Sequence, residues 1–123
     1  MRNMSFAMTT EQVRNQTKTV TRRFGWWFLK PGDVVQPVEK GMGLKKGEKV
    51  KKIGPPIRIV RVRREMVGYV TKAECVLEGF PKMTRGEFIR LLTDDFRKAT
   101  GISQVNRIEF EYLNENGRKE NQS

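Results

Sequence analysis

The sequence predicts an α+β protein in which about five strands and three short helices form a small mixed β-barrel. Three observations lead to this fold class. The chain has 123 residues, enough for one ordinary domain but not for a second core. Strand and helix patterns do not alternate as they would in a parallel βαβ fold. The apolar alternation of the strongest strand slips between Ile59 and Val60, which predicts a β-bulge, a common means of closing a small barrel.

Five stretches share the strand pattern, in which apolar or β-branched residues alternate with polar ones. They are 5–8, 18–23, 34–38, 57–64 and 107–113. In the last stretch, the alternation predicts that Ile108, Phe110 and Tyr112 face the core and that Arg107 faces outward.

Three helix starts share the capping-box pattern, in which a threonine is followed three residues later by Glu or Gln. The threonines are Thr9, Thr71 and Thr84. The third helix is predicted to be the longest, with an apolar stripe formed by Phe88, Leu91, Leu92 and Phe96. Residues 1–113 are expected to form the domain, and residues 114–123 a polar C-terminal tail.

The composition excludes several kinds of chemistry. The chain contains no His and a single Cys, Cys75, which rules out Ser-His-Asp triads, Cys-His pairs, His-ligated zinc, thiolate clusters and an intramolecular disulfide. Cys75 is expected to be a small core residue, and neither a metal nor a cofactor is expected. The sequence shows no signal-peptide core and no apolar run long enough to cross a membrane, so a cytoplasmic protein is expected.

The charge is strongly positive and unevenly distributed. The net charge is +11, and residues 1–64 contain 16 Lys and Arg against 4 Asp and Glu, whereas residues 65–123 contain 9 against 10. Such a field attracts polyanions, which favours RNA or a nucleotide as partner over a merely solvated face. The side chains expected to contact that ligand are Arg22, Arg23, Lys40, Arg61 and Arg63.

Residues 17–23, with the sequence Thr-Lys-Thr-Val-Thr-Arg-Arg, form the most informative stretch for a site. On a regular strand Lys18 and Thr21 would point to opposite faces, because successive side chains alternate. They can share a site only if the segment turns or bulges after the first helix. The alternative, from the residues alone, is a strand with solvated basic side chains.

Trp26 and Trp27 follow within the aromatic run Phe-Gly-Trp-Trp-Phe. An aromatic ring beside a basic groove can stack on a nucleobase, whereas a buried aromatic cluster would only fill the barrel. We expect at least one Trp in the core and Trp26 to be the exposed one that stacks on a base.

The order of these features resembles the ASCH domain, a PUA-related fold, over most of the chain. The family motif is roughly Gly-x-Lys-x-x-Glu-x-Arg; Lys18 and Arg23 match it, while Gln16 and Thr21 replace the Gly and the Glu. The four residues from Lys18 are similar to the Lys-Thr-hydrophobic-Thr segment of small ASCH amidohydrolases that deacetylate N4-acetylcytidine. Residues 83–87 are similar to a later Met-Thr-x-x-Glu stretch of those enzymes.

That resemblance implies catalytic roles for Lys18, Thr21 and Glu87. The Lys18 amine would activate the Thr21 hydroxyl, and Glu87 would protonate the leaving amine or bind the base edge of the substrate. Glu87 also occupies the reciprocal position of the Thr84 capping box, which alone accounts for a Glu there.

The expected function is action on RNA or on a modified nucleoside, as an amidohydrolase that removes the acyl group from an N-acylated cytidine. A non-catalytic RNA-binding module is one alternative, and the uneven positive charge favours both it and the ribonuclease that follows. A metal-independent ribonuclease is the other, because Lys, Arg and Thr side chains can stabilise a phosphorane.

Overall fold

The computed structural model describes residues 1–41, 43–94 and 99–118. The five strands are β1 (Arg2–Ser5), β2 (Val20–Arg23), β3 (Val34–Val38), β4 (Ile57–Met66) and β5 (Gln104–Tyr112). The three α-helices are α1 (Thr10–Arg14), α2 (Lys72–Leu77) and α3 (Arg85–Asp94). Short 3-10 turns at Ala7–Thr9 and Val67–Tyr69 precede α1 and α2.

The strands form one mixed sheet in the order β1-β3-β4-β5-β2. β1 runs parallel to β3, and the other neighbouring strands are antiparallel. The α+β class with five strands and three short helices is confirmed. The edge strands β1 and β2 do not pair with each other, so the sheet is not closed, and the predicted barrel is open along this seam.

The predicted β-bulge is confirmed. The register between β4 and β5 shifts between Ile59 and Arg61, so that Val60 falls out of the alternation and is exposed. Ile57, Ile59 and Val62 can therefore all face the core in spite of the slip in their spacing.

Two clusters of buried side chains form the interior. The larger lies on one face of the sheet and includes Met4, Phe6, Val13, Leu29, Val35, Ile53, Ile57, Ile59, Ile108, Phe110 and Tyr112. The smaller consists of Val70, Cys75 and Phe88, where α2 meets α3. Cys75 is completely buried there, which confirms its predicted place in the core.

Four of the five strands differ in their bounds from the sequence prediction. β4 extends to Met66, and β5 covers Gln104–Tyr112 instead of 107–113. The first strand occupies Arg2–Ser5 instead of 5–8, because it pairs with β3 from Arg2 opposite Val35, and the chain then turns at Ala7–Thr9. β2 begins at Val20 and not at residue 18. Thr9 precedes α1, but its side chain makes no capping hydrogen bond. Phe96 of the predicted apolar stripe lies outside the described residues.

The end of the chain is described as far as Arg118, so residues 119–123 of the predicted tail lie outside the described part. Up to that point the polar tail forms a turn, in which the Asn114 side-chain carbonyl accepts hydrogen bonds from the backbone N–H groups of Asn116 and Arg118. Within the described residues, no helix has both the length and the apolar character that crossing a membrane requires.

Candidate active site

A pocket of about 300 Å³ lies beside β2, between the turn that follows β1 and helix α3. Its apolar lining includes Phe6, Met8, Phe80, Phe88, Leu91 and Leu92. Its polar lining includes Lys18, Thr21, Arg22, Arg23 and Glu78. A concave site with apolar walls and a few converging polar groups is the usual form of a small-molecule site.

Lys18 reaches the pocket because the chain is held in an irregular path before β2. The Lys18 N–H donates to Gln12 O in α1, and the Lys18 carbonyl accepts from the Tyr112 hydroxyl. Its ammonium nitrogen donates to the Glu78 carbonyl at 2.7 Å and to Glu78 Oε1 at 2.9 Å. Lys18 and Thr21 therefore share the pocket, as the prediction of a turn before the strand required.

Burial disfavours the charged form of Lys18. Its side chain is 3% exposed, and this desolvation lowers the pKa of the amine, although the carboxylate of Glu78 acts in the opposite direction. Glu78 is also only 3% exposed. The pair is therefore a buried amine and a buried carboxyl in hydrogen-bond contact, which is the kind of environment found at acid–base sites.

Thr21 and Arg23 lie on the opposite side of β2 from Arg22, because side chains alternate along the strand. Arg23 Nε donates to Thr21 Oγ1 at 3.1 Å, and Arg23 Nη2 donates to the backbone carbonyl of Ser5 at 2.7 Å. The guanidinium thus links the two unpaired edges of the sheet and lies over the Phe6 ring at 4.8 Å. Burial lowers the pKa of Arg23 to about 10.

Arg22 lines the pocket, but its donors are already engaged. Its guanidinium has no solvent exposure and donates to three carboxylates, those of Glu65, Glu74 and Glu78, at 2.6–2.9 Å. Arg107 binds the same Glu74 carboxylate. Arg22 was predicted to contact the ligand. It lines the pocket, but its guanidinium binds carboxylates of the protein and thereby holds Glu78 in place.

Glu87 is not part of this pocket. Its carboxylate accepts a hydrogen bond from the Thr84 N–H at 2.9 Å, and its own N–H donates to Thr84 Oγ1 at 3.1 Å. This is the complete reciprocal capping box at the start of α3, and Glu87 is exposed. The structure brings Lys18 and Thr21 together without Glu87, and the carboxylate that lines their pocket belongs to Glu78.

Comparisons of the chain with protein-family models, with curated proteins and with solved structures find no match. The geometry of the pocket is therefore the basis for its interpretation.

Gly79 allows Glu78 to sit where it does. Its φ is +98°, and a Cβ at this position would lie 3.0 Å from Gln12 Cγ. Glycine alone combines that backbone conformation with that close approach. A glycine after a helix is a recognisable sequence signal for a helix end, but no local pattern marks Glu78 as a functional residue.

The remaining predicted binding residues lie away from the pocket. Trp26 is partly buried against the main core, and Trp27 is the exposed one, at 43%; the prediction that Trp26 is exposed is wrong. The reason is that Asn106 donates to the Trp26 carbonyl and holds this residue against the sheet. Lys40 is exposed beside a separate small hollow.

Arg61 and Arg63 are exposed on β4. Arg63 Nη2 lies 3.2 Å from Glu65, whereas Arg61 forms no ion pair with any carboxylate in the described part of the chain. Neither lines the pocket. These two arginines therefore belong to a surface and not to the candidate active site.

Proposed function

We propose that the protein is an amidohydrolase that removes the acyl group from the exocyclic amine of an N-acylated cytidine, with Lys18, Thr21 and Glu78 as its catalytic residues. The observation that carries this proposal is that a buried Lys, a Thr hydroxyl and a buried carboxyl line one pocket. The resemblance of the Lys18–Thr21 segment to the ASCH amidohydrolases supports the choice of substrate class. The aromatic and aliphatic walls suit a flat base.

The proposed reaction begins with the ion pair. Transfer of a proton from the Lys18 ammonium to the Glu78 carboxylate, 2.9 Å away, gives a neutral amine and a carboxylic acid. Burial lowers the pKa of the Lys18 amine and so favours its neutral form. The amine then accepts the proton of the Thr21 hydroxyl while the hydroxyl oxygen attacks the acyl carbon.

The carbon–nitrogen bond breaks as the Glu78 carboxylic acid protonates the departing exocyclic nitrogen. This step releases cytidine and leaves the acyl group as an ester on Thr21, with Lys18 protonated and Glu78 ionised. Water then hydrolyses the ester, releases the carboxylic acid and restores the Thr21 hydroxyl. No His and no metal takes part.

The second candidate is a non-catalytic RNA-binding module. The specific observation in its favour is the set of exposed basic residues that lie outside the pocket and include Lys45, Lys46, Lys49, Lys51, Lys52, Arg61 and Arg64. None of these forms an ion pair with a carboxylate of the described residues. A free nucleoside requires no such surface, whereas a polyanion does.

The deciding experiment measures the release of cytidine from N4-acetylcytidine by the whole protein and by single variants. We expect Lys18→Ala, Thr21→Val and Glu78→Gln to lose turnover, and Thr21→Ser to keep part of it because the hydroxyl is retained. Glu87→Gln is the matched control, since Gln also serves in a capping box, and it should be fully active.

Wild-type protein that turns over no acetylated nucleoside but binds single-stranded RNA would replace this proposal by the RNA-binding module. Shortening of the RNA in the same assay would indicate the ribonuclease alternative. Loss of turnover in Glu87→Gln, with Glu78→Gln fully active, would return the acid role to Glu87.

A further inference from the structure

Two aromatic rings are exposed in the segment between β2 and β3, and an arginine guanidinium lies over each ring. Trp27 is 43% exposed and Phe28 is 53% exposed. The Arg64 guanidinium carbon lies 4.4 Å from the centroid of the Trp27 ring, and that of Arg2 lies 4.5 Å from the Phe28 ring. Exposed aromatic side chains grouped in this way mark an interaction surface.

The charges of these two arginines are not neutralised by the protein. Within the described residues, neither Arg2 nor Arg64 lies within 4.0 Å of a carboxylate, and neither guanidinium donates a hydrogen bond to the protein. Arg22 and Arg107, by contrast, are saturated with carboxylate partners. The N–H groups of Arg2 and Arg64 are therefore free to bind an anion.

The backbone of the aromatic segment is fixed before any ligand arrives. The Trp26 carbonyl accepts hydrogen bonds from Asn106 Nδ2 at 2.9 Å and from the Leu29 N–H at 3.1 Å. The Trp26 ring packs on the core, and its centroid lies 5.4 Å from that of Phe28. Binding to a platform held in this way requires less ordering than binding to a mobile loop.

We propose that Trp27, Phe28, Arg2 and Arg64 form a stacking site for single-stranded nucleic acid. Unpaired bases stack on aromatic rings and on guanidinium planes, and the arginine N–H groups pair with the adjoining phosphates. The chemistry of the four side chains supplies both kinds of contact that a nucleotide unit needs.

Single strands fit this site better than other anions do. In a duplex the base faces are covered by neighbouring bases, so the exposed rings of Trp27 and Phe28 would have no partner. The positive charge of residues 1–64 extends the attraction to a longer strand. The site lies outside the pocket and holds whether or not the pocket is catalytic.

The test measures fluorescence anisotropy of a labelled oligouridylate, of the matching oligothymidylate and of a duplex. We expect both single strands to bind and the duplex to bind more weakly. Trp27→Ala should weaken single-strand binding by about 5- to 150-fold, which corresponds to the loss of one stacked base. Arg64→Gln should lower the slope of log Kd against log salt by about 0.7.

Matched controls separate stacking from general attraction. Tyr69→Ala removes an aromatic ring that is even more exposed than Trp27, at 65%, and over which no cation lies in the described residues; it should bind as the wild type does. Arg90→Gln removes an exposed charge on α3 and should leave the salt slope unchanged. Circular dichroism confirms that each variant is folded.

The stacking site is refuted if Trp27→Ala binds the oligouridylate as tightly as Tyr69→Ala does. It is also refuted if the duplex binds as tightly as the single strands, or if neither single strand binds. All three measurements are of binding alone, so they are independent of turnover in the pocket, and the two proposals can fail separately.

Discussion

The substitution Glu78→Gln tests the centre of the candidate site through protein stability. The Glu78 carboxylate accepts a hydrogen bond from Lys18 Nζ at 2.9 Å and another from Arg22 Nη1 at 2.9 Å. The three side chains are 0–3% exposed. Gln keeps the volume and one acceptor oxygen, but it removes the charge and turns an NH₂ donor toward one of the two cations.

The expected loss of stability depends on which partners Arg22 and Lys18 keep after the substitution. Arg22 keeps the carboxylates of Glu65 and Glu74 as partners, so the loss of its contact with Glu78 costs little stability. Among the described residues, the Lys18 ammonium keeps only the Glu78 backbone carbonyl as a hydrogen-bond partner, besides the Phe80 ring at 5.9 Å. Removal of one partner of a buried ion pair costs about 3–5 kcal/mol in unfolding free energy, and Glu78→Gln should fall in this range.

The reverse change is expected to cost less. Lys18→Met removes the cation and fills the same space, while Glu78 still binds Arg22. The cost should be about 1.5–3 kcal/mol, that of a lost charged hydrogen bond. In the double variant no cation is left without its partner, so the two changes should be non-additive by about 1–3 kcal/mol.

Urea unfolding at neutral pH, followed by far-UV circular dichroism, gives the four free energies by linear extrapolation. Glu87→Gln serves as the control for a carboxylate that is exposed in its capping box, and its unfolding midpoint should match that of the wild type. Additive single changes would refute a coupled buried pair. A Glu78→Gln protein as stable as the wild type would refute the burial of the Lys18 charge.

Two further predictions concern acid and salt. Hydrogen bonds from Arg107 and Arg22 hold the pKa of Glu74 at about 2, below the 4.5 of a free carboxyl. Because the folded pKa is the lower one, its stabilisation is complete above pH 4.5 and is lost as the pH falls through about 2. The shift corresponds to roughly 3 kcal/mol of stabilisation. Glu74→Gln should remove this stabilisation, so that the free energy of unfolding in urea varies less between these pH values. An unchanged dependence of that free energy on pH would contradict the assignment. Replacing Arg61 and Arg63 with Ala should lower the salt slope of oligouridylate binding by about 0.7 for each arginine that contacts a phosphate. Anisotropy titrations at several salt concentrations measure this slope. An unchanged slope would show that neither arginine contacts a phosphate.

The elements with strong local patterns could be predicted from the sequence. The strand 34–38 has the bounds of β3, and the slip between Ile59 and Val60 is the observed β-bulge. The capping box of Thr84 and Glu87 is complete. In each case the responsible interaction joins residues close in the chain or repeats along one strand, so the pattern itself contains the information.

Neither the open seam between β1 and β2 nor the burial of the outer face of the sheet could be predicted in this way. Alternation correctly places Arg107 on the side of β5 away from Ile108, but it does not reveal that Glu74 of α2 covers that side. Arg107 is therefore buried although it faces outward. Alternation assigns a face, whereas burial depends on what packs against it.

The carboxyl of the candidate site was beyond sequence reasoning for a different reason. Glu78 and Lys18 are 60 residues apart, and Glu78 belongs to no motif. Glu87 fits a helix-capping pattern and also the stretch that is similar to the amidohydrolases, so the sequence predicts Glu87 and not Glu78 as the carboxyl of the site. The packing of the turn at Gly79 against Gln12 and the hydrogen bond from the Thr19 N–H to the Leu77 carbonyl bring Glu78 to Lys18.

The balance of charge within the pocket supports the proposed acyl transfer. Lys18 and Arg22 each have a carboxylate within 2.9 Å. Arg23 has none within 4.0 Å among the described residues, although burial lowers its pKa to about 10. Nε of this uncompensated guanidinium lies 3.1 Å from Thr21 Oγ1, next to the position where, in the proposed reaction, attack by that oxygen would generate an oxyanion. A cation held there in advance stabilises the transition state more than the neutral ground state.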